Sequence, residues 1–110
     1  MNRGDVVWVA LDPTLGSEVG KTRPAVVLQN ELANRSSLTV TILPLSSKLG
    51  RIYPFQVRLE AGEGGLPKAS KVMCDQVRTV ARERIRGQLG SLNRDRLQAI
   101  RQALDRHLWF

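Results

Sequence analysis

From Asp5 to about residue 90, apolar positions come in short runs broken by turn-forming residues, a rhythm that predicts the strands of a small β-barrel or sandwich. "DVVWVAL" (Asp5 to Leu11), "RPAVVLQ" (Arg23 to Gln29) and "LTVTILPL" (Leu38 to Leu45) are nearly unbroken apolar runs, as strands buried on both faces are. "YPFQVRLE" alternates instead. It predicts a half-exposed strand with Phe55, Val57 and Leu59 on one face and Gln56, Arg58 and Glu60 on the other, and Pro54 places its start at a sheet edge. "EAGEGGLPKAS" (Glu60 to Ser70) reads as a hairpin turn, because it lacks the G-x-x-x-x-G-K-[ST] spacing of a phosphate loop and no helical pattern follows. "KVMCDQVRTVA" (Lys71 to Ala81) predicts one strand or two, with Val72, Cys74 and Gln76 opposite Met73, Asp75 and Val77, and "RIRGQLG" adds a short one.

The period changes after Asn93. Leu97, Ile100, Leu104 and Leu108 recur at helical spacing and share one face, with Asn93 as N-cap and Asp95 in the first turn. Arg94, Arg101 and Arg106 fall on the other face. The expectation is a mainly β, α+β fold in which a C-terminal helix packs on a compact barrel. No repeat or linker interrupts the pattern, so residues 1–110 are expected to form one domain.

Length and composition narrow the classes. A chain of 110 residues buries about two thirds of its unfolded surface in a single core. Cys74 is the only cysteine, which excludes an intrachain disulfide and a Cys-based zinc site, and its simplest role is that of a small buried hydrophobe. The apolar run after Asp5 is too short for a signal peptide or a membrane span, so the cytoplasm is the expected location.

Charge changes the picture more. Seventeen basic residues, 13 of them Arg, stand against 10 acidic ones, and residues 78 to 106 hold eight Arg against Glu83, Asp95 and Asp105. Arginine is the better fork for phosphate and stacks on bases, so one positive side fits a nucleic-acid partner; a basic solubility surface accounts for the same numbers. His107 is the sole histidine, which excludes a two-histidine acid–base pair within one chain and any His-cluster metal site. Its place at the helix end suits a structural cation. An enzyme built on this sequence works with Arg, Ser, Thr and carboxylates, and neither a metal nor another cofactor is expected.

One stretch gathers these groups. In "GSEVGKTRPAVVLQN" (Gly16 to Asn30), glycines make a pliable loop, Glu18, Lys21 and Thr22 give it charge and a hydroxyl, and Arg23-Pro24 fixes an extended entry into an apolar strand. An Arg at that hinge, backed by a sheet, grips a phosphate or else ties down its own loop through Glu18 or backbone carbonyls.

These residues also carry a resemblance. "RGDVVWVALDPTLGSEVGKTRPAVVLQN" (Arg3 to Asn30), the polar pair closing "TILPLSS" (Thr41 to Ser47) and "CDQVRTV" (Cys74 to Val80) are together similar to the MazF/PemK (Kid) toxins of bacterial toxin–antitoxin pairs, over nearly the whole chain. The resemblance implies an SH3-like barrel of the MazF/Kid/CcdB type and a homodimer. It implies a metal-independent, sequence-specific endoribonuclease acting on single-stranded RNA and silenced by a cognate antitoxin. Arg23 matches the family's catalytic Arg, and Ser46 matches the hydroxyl after the third strand, where the family most often has Thr. Neighbouring side chains on an extended strand face opposite ways, so only one of Ser46 and Ser47 is expected in the cleft, and the motif selects Ser46. Glu18 matches the loop carboxylate, and Gln76 and Arg78 fall where substrate-contacting residues lie; Lys21, Thr22 and Ser47 complete the expected contact set.

Cutting RNA through its own 2′-OH requires a proton acceptor for that hydroxyl, charge stabilisation at the phosphorane and a proton for the departing 5′ oxygen. Arg23 stays charged at neutral pH and suits the phosphate clamp, while Glu18 is the nearest carboxylate to take a proton. The excess positive charge favours an acidic, partly disordered antitoxin. A same-fold toxin that binds a protein such as DNA gyrase, with Arg23 structural, is the alternative from another class. A non-cleaving RNA binder, with Ser46 replacing the usual Thr, is a further one.

Overall fold

A first strand that is apolar on both faces requires a core on each, and the fold provides two. In the computed structural model, which describes residues 1–109, Val6 of β1 (Asp5–Ala10) enters one core and Val7 and Val9 enter the other. The chain continues through β2 (Thr22–Val27), α1 (Glu31–Ser36), β3 (Thr39–Ser46), β4 (Gln56–Leu59), β5 (Ser70–Met73), β6 (Arg78–Ala81), β7 (Ile85–Ser91) and α2 (Arg94–Leu108). All pairings are antiparallel, in the order β4-β5-β3-β2-β1-β7, with β6 also on β3. This is the mainly β fold with a C-terminal helix that the sequence predicts.

β3 is the shared member. Along one edge its residues Ile42 to Pro44 pair with Val27 to Ala25 of β2. Along the other, Thr39 to Ile42 pair with Ala81 to Arg78 of β6, and Leu45 and Ser46 pair with Val72 and Lys71 of β5. β5 and β6 are thus successive partners of one edge, and a 3₁₀ turn at Cys74–Gln76 separates them. The strand-like run from Lys71 to Ala81 is two strands, and the predicted alternation of Cys74 and Gln76 is lost in that turn. Cys74 is fully buried, as expected, and desolvation pushes its thiol pKa up to about 12.

Strand pairing does not close the ring, because β4 and β7 are its unpaired ends. The β4–β5 turn fills the gap. Its 3₁₀ segment Glu63–Gly65 packs so closely on β7 that a Cβ on Gly65, at φ +75°, would clash with the Leu89 carbonyl oxygen. A fork from α2 secures it: Arg96 donates from Nε to Glu63 Oε1 at 2.8 Å and from Nη2 to Oε2 at 3.1 Å, which holds the Glu63 carboxyl below the usual glutamate range.

α2 begins as predicted, with Asn93 Oδ1 accepting from Arg96 N at 2.9 Å. It buries Ile100 and Ala103, with Leu97 and Leu104 at the margin and Arg94, Arg101 and Arg106 exposed. Leu108 is 51% exposed, so the apolar face ends a turn earlier than its spacing predicts. α1 has no forecast: six residues cannot show a period, and its signal is only the cap, Asn30 Oδ1 accepting from Ala33 N. Gln56, expected outward, is buried because its Oε1 takes the Tyr53 amide at 3.1 Å and its Nε2 lies 3.6 Å from Met73 Sδ. No helix among the described residues is long and apolar enough to cross a membrane.

Candidate active site

The β2–β3 register positions two side chains without help from any loop. Ala25 faces Pro44, and continuing two residues sets Arg23 across from Ser46, on the face that carries Ala25, Val27 and Ile42 into the second core. Arg23 and Ser46 are the polar end of an otherwise apolar row. The Ser17–Gly20 segment lies over that end and encloses a cleft of about 250 Å³, lined by Glu18, Val19, Arg23, Ser46, Ser47 and Lys48 among others.

That segment is tethered at several points. Gln76 Oε1 accepts from Val19 N at 2.8 Å and its Nε2 donates to Ser17 O at 3.5 Å. Asp12 Oδ1 accepts from Lys21 N at 2.8 Å, and Arg84 donates to the carbonyls of Ala10 and Asp12. Gly20 sits so near this turn that a Cβ would be 2.6 Å from Asp12 Oδ1. Glu18 Oε1 accepts from Leu15 N at 3.1 Å, within its own loop.

Arg23 is half-buried, and among the described residues its guanidinium makes no hydrogen bond and no ion pair. Of its two expected roles, the tie to Glu18 or to loop carbonyls is absent. A partly desolvated cation without a partner is a ready anion site. Ser46 Oγ accepts from Lys48 N at 3.2 Å, which leaves its proton free to donate.

The expectation that only one of the two serines faces the cleft does not hold. β3 ends at Ser46, Ser47 stands in a bend where strand alternation no longer applies, and both line the cleft. Ser47 also lines a neighbouring pocket with Trp8, Thr22, Arg23 and Lys68. On the other side of Glu18, a pocket of about 340 Å³ takes in Gln76, Arg78 and Asp75. There Arg78 Nη1 and Asp75 Oδ1 are buried without a partner among the described residues. Lys21 lines none of these three. The structure therefore brings Glu18, Arg23, Ser46 and Ser47 together, puts Thr22 and Arg78 in adjoining pockets, and gives Gln76 to the loop. Sequence reasoning missed Lys48 and Asp12, although Asp12 stands in the L-D-P of the quoted motif.

A family model described as the PemK-like, MazF-like toxin of type II toxin–antitoxin systems matches residues 2–108. The chain belongs to this toxin family. Endoribonuclease MazF9 of Mycobacterium tuberculosis is 37% identical, over 98% of this chain and 96% of that protein. The crystal structure of MazF from Deinococcus radiodurans superposes with a TM-score of 0.86 at 31% identity, covering 100% of this chain and 97% of that one. A MazE–MazF structure from the same organism gives 0.78 at 28% identity, covering 100% and 96%. For this PemK/MazF-like chain, Gln76→Ala should raise hydrogen exchange at the Val19 amide strongly while costing only about 1 kcal/mol in overall stability, the net worth of a hydrogen bond. Unchanged exchange at Val19 would show that the loop is held by its other tethers alone.

Proposed function

We propose that this PemK/MazF-like chain is a sequence-specific endoribonuclease toxin that cuts single-stranded RNA without a metal, working as a homodimer in the cytoplasm. The observation that carries the reading is the Arg23 guanidinium, which has no partner among the described residues and is half-buried and register-aligned with the Ser46 hydroxyl in a cleft that also holds Glu18. Its full-length relative in Mycobacterium tuberculosis is named an endoribonuclease, which favours the nuclease over a binder of a protein target.

Each group has one task. Arg23 clamps the scissile phosphate and stabilises charge as the phosphorane forms; Ser46 donates a hydrogen bond to a non-bridging oxygen. Glu18 accepts the 2′-OH proton once substrate draws it from the Leu15 amide. The 2′ oxygen attacks in line, the bond to the 5′ oxygen breaks, that oxygen takes a proton from water, and a 2′,3′-cyclic phosphate remains. Lys48 at the rim holds a neighbouring phosphate. An acidic, partly disordered antitoxin lying over the cleft silences the enzyme by competing for the same cations; a MazE–MazF complex is known for the Deinococcus radiodurans relative.

Purified protein incubated with a long RNA, with and without chelator, tests the reading. Cleavage should be the same in both and should stop where the nucleotide 5′ of the cut is 2′-deoxy. Intact RNA under both conditions would overturn it, and cleavage of the deoxy-substituted strand at the normal rate would show that water attacks instead.

A further inference from the structure

The segment leaving the cleft, "SSKLGRIYPF" from Ser46 to Phe55, holds two cations, two aromatic rings and no carboxylate. Its side chains form one continuous stack. Arg51 Cζ lies 4.9 Å from the Tyr53 ring centroid, and the Tyr53 and Phe55 rings are 5.4 Å apart and within 6° of parallel. Phe55 in turn meets the His107 ring of α2 at 5.9 Å. The lower end of the stack stands on the helix, while Tyr53 is 40% exposed and Arg51 is exposed.

The stack is held in place before any ligand arrives. Tyr53 N donates to Gln56 Oε1 at 3.1 Å, Gln56 N donates back to Tyr53 O at 2.9 Å, and Lys71 Nζ donates to Arg51 O at 3.1 Å. Lys71 is the strand partner of Ser46. The stack therefore begins within the reach of one lysine side chain from the hydroxyl assigned to cleavage.

We infer that Arg51 and Tyr53 form a landing platform for a base of the single-stranded RNA flanking the cut, an inference that rests on the endoribonuclease reading. Packing accounts for Phe55, which is footed on α2. It does not account for a half-exposed tyrosine fixed by its backbone with a guanidinium over its ring. A nucleobase fits both: it stacks on the ring, and the guanidinium either caps it or turns to its phosphate. Every base presents a π-face, so the platform adds affinity and direction to the strand without reading its sequence.

Full-length protein and a labelled 2′-O-methyl RNA, which binds but has no free 2′-OH to react, provide the test in a short and a long form. Tyr53→Ala should weaken the long probe about fivefold to a hundredfold, leave the short one within about twofold, and lose as much at high salt as at low, as stacking does. Tyr53→Trp should restore binding; Tyr53→Leu, which keeps bulk without a π-face, should behave like the alanine variant and guards against a folding artefact. Wild-type affinity for the long probe in folded Tyr53→Ala or Tyr53→Leu would overturn the platform while leaving cleavage by the parent protein intact. A shift of oligomeric state in those variants would overturn it too, by showing that a second copy of this chain covers the stack. A parent protein that binds neither probe and cuts no RNA would instead remove the endoribonuclease reading, and the platform with it.

Discussion

Arg23→Ala should cut RNA on the order of a hundredfold to a thousandfold more slowly than the parent protein, the range for removing one preorganised donor from transition-state charge. Arg23→Lys should recover little, because a point charge cannot make two parallel contacts to phosphate oxygens. Stability should be nearly unchanged in both, since the guanidinium has no partner within the described protein to lose. Ser46→Ala belongs to the same experiment, with an expected loss of about tenfold to a thousandfold and Ser46→Thr active. Because Ser47 also lines the cleft, Ser47→Ala is the control that assigns the hydroxyl. Our assignment expects it to be nearly silent. An inactive Ser47→Ala beside a fully active, folded Ser46→Ala would transfer the role to Ser47.

The largest effect on stability should come from Gly65→Ala. The new methyl would clash with the Leu89 carbonyl, and φ +75° is itself unfavourable for alanine. Strain and overpacking together should cost about 2–4 kcal/mol, a fall in Tm of roughly 10–30 °C for a domain of this size. Gly62→Ala, also at positive φ but with open space around its Cβ, isolates the backbone term and should cost clearly less. Equal melting of the two variants would show that the turn does not bear on β7 as described.

The strands were legible because burial on one face leaves a period and burial on both leaves an unbroken apolar run, and β1, β2, β3 and α2 are long enough to show one or the other. Cys74 to Gln76 were not, since a three-residue 3₁₀ turn inside an apolar run has no period of its own; what turns the chain there is the change of partner along β3. Arg23 was legible as a hinge residue but not as a free one, because its freedom depends on what Glu18 does at a distance. Glu18 turns instead to Leu15 N. The Gln76 tether spans 57 residues in sequence, and no local pattern announces it. Ser47 was misjudged by extending strand alternation one residue past the end of the strand.

β3 lies in both cores and along two successive partner strands, and it ends at Ser46. The hydroxyl is therefore in place only when β5 and β6 have paired with β3, and both follow it in the chain. A chain arranged this way has no finished cleft until its later strands are in place. A misfolded copy that leaves those strands unpaired loses the cleft together with the fold.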